Sequence, residues 1–148
     1  MNKLDTDILS LLVKNGRLAF AEIARELDVS RAHVRDRVQR LLDDGVIEQF
    51  TAVINPEKLH KTVSAFLDIK VAPREIETTA QELAAQPEVA SLYIMSDMKS
   101  LHVHLLTDSS ETLDQFVRKH VFARDHIISV ECKTLLSRIK HRRGGPRL

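Results

Sequence analysis

The spacing of apolar residues changes part-way along the chain, and that change bounds what its 148 residues can fold into. From Leu4 to Leu42 apolar residues recur at intervals of three and four. Leu4, Ile8, Leu11 and Leu12 form one helical stripe, Phe20, Ile23, Ala24 and Leu27 a second, and Val34, Val38, Leu41 and Leu42 a third. From Val63 they alternate instead: Val63, Ala65, Leu67, Ile69 and Val71 share one strand face, and Ser64, Phe66, Asp68 and Lys70 the other. A helical unit followed by a mixed unit is expected, with Asn55-Pro56 breaking the chain between them.

In the first unit the spacing predicts helices over 4–14, about 19–27, and from Ser30 to Asp43. Asn15-Gly16 ends the first, with Gly16 suited to a left-handed cap. Only Asp28-Val29 separates the second helix from the third, the short turn of a helix-turn-helix. Ser30 is a good N-cap and Gly45 stops the third helix. Val46 to Ile54 is rich in β-branched and aromatic residues, and is expected as a wing-like strand pair or a connecting strand.

In the second unit Pro73 ends the first strand and starts a helix over about 74–86 that buries Ile76, Ala80, Leu83 and Ala84; Pro87 terminates it. Val89–Met95 and Leu101–Thr107 read as strands joined by Ser96-Asp97-Met98-Lys99-Ser100. Asp108 or Ser109 caps a helix that buries Leu113, Phe116, Val117 and Val121. The last strand is Ile127–Leu136, with Ile128, Val130, Cys132, Thr134 and Leu136 on one face. The order β-α-β-β-α-β is the split-βαβ, ferredoxin-like unit. The fold class is thus α+β, a winged helix-turn-helix domain over 1–54, a hinge at 55–62, a βαββαβ domain over 63–137 and a tail from 138 to 148. Residues 132–148 hold six basic side chains and no acidic one, and the tail is expected to be mobile.

Composition narrows the function classes. One cysteine, Cys132, excludes an intramolecular disulfide and any multi-cysteine zinc site; its place among Ile128 and Val130 suggests a core thiol. With no Trp and a single Tyr, the chain lacks the aromatic platforms on which single-stranded nucleic acid stacks. No apolar run approaches the roughly 18 residues of a membrane span, and the start, with Asp5 and Asp7, has no signal-peptide stretch, so a cytoplasmic protein without membrane contact is expected. His102 and His104 lie two apart on a strand. They are either half a metal site or part of a helix-free sheet face with Phe66, Leu106 and Leu135, mixed in polarity as a surface covered by a second subunit would be.

The third helix carries the sharpest chemical signal. Residues 30–42 hold four Arg against one Asp. With Val34 turned inward, a step of about 100° per residue puts Ala32, His33, Arg35, Asp36, Gln39 and Arg40 on the outer arc, flanked by Arg31 and Arg37. Charge alone would equally suit a solvated helix face. The residue types suit a major-groove reader, because Arg bonds guanine O6 and N7 together and Ala leaves room for a thymine methyl. Arg31, Ala32, His33, Arg35 and Asp36, near the capped end at Ser30, are candidates for base contact, and Gln39 and Arg40 for phosphates. Asp36 repels phosphate. It is expected to pair with Arg40 at i+4, the alternative being a cytosine amino group.

Taken in order, these pieces resemble the Lrp/AsnC family of bacterial and archaeal transcription regulators. The likeness rests on Leu4-Asp5-Thr6-Asp7-Ile8-Leu9 with Asn15-Gly16-Arg17, Glu22-Ile23-Ala24 with Val29-Ser30, Arg37-Val38-Gln39-Arg40-Leu41 with Gly45-Val46-Ile47, and Ala52-Val53-Ile54-Asn55-Pro56. The resemblance implies a regulator without cofactor or catalytic residues, binding palindromic double-stranded DNA as a dimer, tetramer or octamer. Its C-terminal domain, of the RAM type, would assemble the oligomer and, as in many relatives, bind an amino acid. Three places depart from the family. Asp28 stands where a Gly is frequent, Arg124-Asp125-His126 replaces a proline-glycine turn, and the effector loop reads Ser96-Asp97-Met98-Lys99 rather than Gly-Asp-x-Asp. Lys99 offers donors and no acceptor, so any effector at this loop is expected to be anionic rather than a neutral amino acid. Siroheme decarboxylases resemble the same architecture, but rely on a segment rich in Tyr, Trp and Pro; here the one Tyr, Tyr93, sits in a strand pattern.

Overall fold

The computed structural model describes residues 1–59 and 63–139, which form two compact units, Met1–Val53 and Ile54–Ile139. Residues 60–62 of the expected hinge and 140–148 of the expected mobile tail lie outside the described residues.

The first unit consists of α1 (Lys3–Lys14), α2 (Phe20–Glu26) and α3 (Arg31–Asp43). Its core is Ile8, Leu12, Ile23, Ala24, Val34 and Val38, with Leu4, Leu11, Phe20 and Leu27 packed around it. Each fully buried Ile or Val there contributes about 1.5–3 kcal/mol. α1 opens on a capping box, in which the Asn2 side chain accepts the Asp5 N–H at 3.0 Å and the Asp5 carboxylate accepts the Asn2 N–H at 2.9 Å.

Two expectations about this unit need correction. Gly16 is not in the left-handed region; the helix ends on Asn15, in extended geometry, whose side chain accepts the Arg17 N–H at 3.0 Å. A polar side chain here closes the turn that a left-handed glycine would otherwise make. Gly45 does have positive φ, +68°, and the Ile47 N–H returns to the Leu41 carbonyl at 2.8 Å. The second correction concerns the wing. Residues 46–55 belong to no strand among the described residues, and Phe50, Val53 and Ile54 are exposed. A ladder needs a second strand, and three helices offer none.

The second unit is a four-stranded antiparallel sheet in the order β2-β3-β1-β4, from β1 (Val63–Val71), β2 (Val89–Ile94), β3 (Ser100–Thr107) and β4 (Ile127–Thr134). α4 (Ile76–Ala84) and α5 (Ser110–Val117) cover one face. The core lies between, from Ala65, Leu67, Ile69 and Val71 of β1 and Leu101, Val103 and Leu105 of β3 to Leu83 and Phe116 of the helices. α4 starts only at Ile76, after a 3-10 turn over Pro73–Glu75, so its inward stripe is Ile76, Thr79, Ala80 and Leu83. Ala84, expected to be buried, is exposed at the helix end, and Thr79 is buried in its stead, bonded to His126 Nε2 at 2.9 Å. α5 runs on into a π turn, Arg118–Phe122. Arg124 donates to the His120 carbonyl there at 2.7 Å and pairs with Glu82 of α4, tying the two helices together.

β4 differs most from expectation. Val130, Cys132 and Thr134 stand opposite Ile69, Leu67 and Ala65, on the helix side. A register shift at Lys70/Val71 pushes Ile128 out of the alternation, leaving it 68% exposed, and Leu136 lies beyond the strand's end. Cys132 is exposed rather than a core thiol, because the helices lie over β1–β3 and β4 is an edge strand.

Candidate nucleic-acid interface

The turn between α2 and α3 sets the pose of the third helix. Asp28 takes φ +52°, a left-handed conformation that Asp tolerates better than most residues. The Val29 N–H closes back on the Ala24 carbonyl at 3.0 Å. Ser30 stays outside the helix at φ −73°, ψ 149°, and its Oγ accepts the His33 N–H at 3.1 Å, satisfying one of the unpaired first-turn amides.

From that start α3 splits into two faces. Val34, Val38 and Leu41 are buried, while Arg31, Ala32, His33, Arg35, Asp36, Gln39 and Arg40 are all exposed. Arg31 and Arg40 have no acidic partner among the described residues, so both guanidinium groups are available to an external anion. The Gln39 amide donates to Asp43 at 2.8 Å. Asp36 does not pair with Arg40 as expected. Arg35 folds over its neighbour, and Nε and Nη2 both donate to Asp36 Oδ1, at 3.1 and 3.0 Å.

Arg37, which flanks the outer arc in the helical spacing, is committed elsewhere. It turns toward α1, and its Nε and Nη2 donate to Asp5 Oδ1 and Oδ2 at 2.7 and 2.5 Å. The Asp5 side chain is 3% exposed, so this is a buried fork between the first and third helices. The Arg37 hydrogen bond, with help from the Asn2 amide, holds the Asp5 carboxyl below its usual range against the opposing effect of burial; the same bond raises Arg37. Sequence reasoning missed the pair. Asn2-x-x-Asp5 carried the capping signal, but nothing in it pointed 32 residues along to Arg37.

The second unit presents two further candidate surfaces. The open face of its sheet carries rows set by the register, Tyr93-His102-Asp68-Glu131 and Ser91-His104-Phe66-Lys133. Phe66 stacks on both imidazoles, 4.5 Å from His104 and 5.7 Å from His102. His102 Nδ1 meets Asp68 at 2.7 Å and His104 Nε2 meets Ser64 Oγ at 2.7 Å. Leu106 and Leu135 stand on the same face, Leu135 tied to the Ser64 carbonyl, so the structure brings together all five residues read as an assembly surface. Among the described residues no three His, Cys, Asp or Glu side chains converge on a metal position.

At one end of that face Ser96 and Asp97 of the β2–β3 loop line a groove of about 610 Å³ that runs over Asp68, Lys70 and Ser100 to Ser129 and Glu131; Met98 and Lys99 of the same loop are not among its lining residues. Met98 has φ +53°. Asp97 accepts from the Lys99 and Ser100 amides at 3.1 and 2.9 Å and from the Ser100 hydroxyl at 2.5 Å. The Ser100 hydroxyl first and the Lys99 amide next hold its carboxyl low; the Lys99 charge is the least of the causes.

Two family models match the chain. One, described as winged helix-turn-helix DNA-binding, covers residues 1–48, and the other, the Lrp/AsnC ligand binding domain, covers 64–144. This chain belongs to the Lrp/AsnC family. An uncharacterised HTH-type transcriptional regulator of Pyrococcus abyssi is 34% identical over 137 residues, 93% of this chain and 87% of its own length. Among solved structures, an AsnC family regulator from Agrobacterium tumefaciens is 26% identical, with a TM-score of 0.87 over 99% of this chain and 97% of its own. A Neisseria meningitidis regulator solved with L-Met is 23% identical, with a TM-score of 0.86 over 99% and 96%, and shares the fold. The chain is thus an Lrp/AsnC-type helix-turn-helix transcription regulator, with the α+β architecture of that family. No helix among its described residues is long and apolar enough to cross a membrane.

Proposed function

We propose that this Lrp/AsnC regulator reads double-stranded DNA with the exposed face of α3. The carrying observation is that Arg35 and Arg40 stand on an exposed arc with Ala32, His33, Asp36 and Gln39, flanked by the exposed Arg31, while Val34, Val38 and Leu41 are buried on the other side. Arg31, Ala32, His33 and Arg35, next to the Ser30 cap, face base edges; Asp36 lies beside them, and Gln39 and Arg40 meet phosphates. The protein acts in the cytoplasm and assembles through the open sheet faces around Phe66, His102, His104, Leu106 and Leu135, as a dimer, tetramer or octamer. A two-fold axis then asks for an imperfect palindrome with half-sites about one helical turn, or a small multiple, apart. It is a regulator and not an enzyme; the decarboxylase-like alternative finds no aromatic segment, and Tyr93 is exposed on a strand.

Any effector at the Ser96–Lys99 loop is anionic. Asp97 already accepts three hydrogen bonds from its own turn, which leaves Lys99 as the loop's uncommitted charge. Of the acids that line the neighbouring groove, Asp68 is paired with His102 and Glu131 with Lys133.

The test of the DNA reading is a mobility shift on the duplex upstream of the protein's own gene, compared with an Arg31→Ala/Arg35→Ala double variant that melts like the parent. Loss of the specific complex is expected. A double variant that binds as tightly as the parent would overturn the assignment.

A further inference from the structure

Asp36 is out of place on a surface that meets phosphate, and its position in the fold does not explain it. The Arg35–Asp36 pair is exposed, 68% and 61%, and such a pair adds little to stability. It does not link helices, since both residues sit side by side on α3. It fails to make the i+4 contact that would staple one turn to the next. Arg37, two residues on, shows what a stabilising arginine in this helix does: it reaches a buried carboxylate on another helix.

The pair has another consequence, which follows from the geometry of a guanidinium group. Arginine has five N–H donors in one plane. Asp36 takes one from Nε and one from Nη2, which is one edge of the plane. The end edge, formed by Nη1 and the second N–H of Nη2, stays free. Two parallel donors on that edge match guanine O6 and N7. A long side chain that is already held in one orientation also loses less freedom when it docks. At the same time the carboxylate cancels the positive charge that would draw Arg35 to any phosphate, so attraction that ignores sequence falls.

We propose that Asp36 is a positioning residue: it holds Arg35 edge-on for guanine and lowers affinity for other DNA, so that the pair, rather than Arg35 alone, sets specificity at one position in each half-site. This rests on the reading of α3 as the DNA-contacting helix. Asp36 acts through Arg35 and makes no base contact of its own.

The test is selection from a pool of random-sequence duplexes by the full chain, with Asp36→Ala, Arg35→Ala and the double variant run on the same pool, and affinity for one fixed unrelated duplex measured alongside. The parent should select a guanine at one position per half-site. Asp36→Ala should lose that preference by about tenfold or more while binding the unrelated duplex more tightly and with a steeper salt dependence. In an Arg35→Ala background, Asp36→Ala should cause no further loss at that position. An Asp36 that merely repels DNA would raise affinity for all duplexes alike and leave the guanine preference intact, which overturns the proposal. An Asp36 that reads a base directly would show its loss in the Arg35→Ala background too, which also overturns it. If Arg35→Ala keeps the guanine preference, the reading of Arg35 as a base reader has failed, a separate result from the failure of Asp36 alone.

Discussion

At the scale of single residues, four arginines in one short helix divide by what lies within reach of each. Arg31 and Arg40 are unpaired among the described residues, Arg35 is held by its neighbour, and Arg37 is bound to a buried acid. The Asp5–Arg37 fork predicts a stability effect at a residue that charge counting would give to DNA. Removing Asp5 leaves the Arg37 guanidinium without its carboxylate and the Asn2 amide without its cap, so Asp5→Ala should lower the melting temperature of the helical unit. Arg37→Ala should likewise lower the melting temperature measured by circular dichroism, while the DNA sequence preference persists where the variant is folded. The pH dependence has a definite sign. Asp5's carboxyl is held below its ordinary 3.8 in the folded protein, so its contribution is complete above that value and is lost as pH falls through the lower, folded value. The melting gap between parent and Asp5→Ala should therefore be constant near neutrality and close in acid below about pH 4. A gap unchanged down to pH 2 would show that the pair does not titrate as argued.

At the scale of elements, the ends of helices were set by different means than their composition suggests. α1 and α3 are each followed by a glycine, yet only Gly45 adopts the left-handed conformation. At Gly45 a Cβ would meet nothing within 4 Å, so the cost of Gly45→Ala is backbone strain alone, about 1 kcal/mol. At Gly16 a Cβ would rest 3.8 Å from the Leu12 carbonyl, an ordinary contact, and the φ is permissive. Gly16→Ala should stabilise by about 0.4–1 kcal/mol, mainly by narrowing the unfolded ensemble. Urea midpoints should move in opposite directions for the two variants, and a shared direction would contradict this account of the two caps. Strands follow the same lesson. Alternation placed β1 and β3 correctly, since both are central and every second residue must be buried. It misjudged β4, where a bulge and an edge position release Ile128 and Cys132 from the rule.

At the scale of the whole molecule, the open sheet face is the feature that asks for a second subunit. Its centre is a stack of Phe66 between two imidazoles, with Leu106 and Leu135 beside it, an apolar content unusual for a solvated face. Leu106→Asp should convert the oligomer to monomer in sedimentation velocity, with the helical content of the parent. An oligomer that survives the charge would place the interface elsewhere. The effector reading is tested on the assembled protein by calorimetry against amino acids and organic acids. Carboxylate or phosphate compounds should bind where neutral amino acids do not, and Lys99→Ala should weaken them. Tight binding of leucine, lost on mutating the loop, would show that Lys99 does not govern the choice.

Helix and strand periods, the Ser30 cap, the two-residue turn at Asp28-Val29 and the outward arc of α3 could all be read from the sequence. Each depends on residues within about two turns or one strand of one another, where backbone geometry alone fixes which side chains share a face. The partners of Asp5 and Asp36, the commitment of Asp97 to its own turn, the exposure of Cys132 and the lack of a strand over 46–55 could not. These turn on which element packs beside which, and on which of several reachable donors a carboxylate meets first. A hydrogen bond has a range of about 3 Å and the chain imposes no such limit on sequence distance, so only the assembled structure decides them.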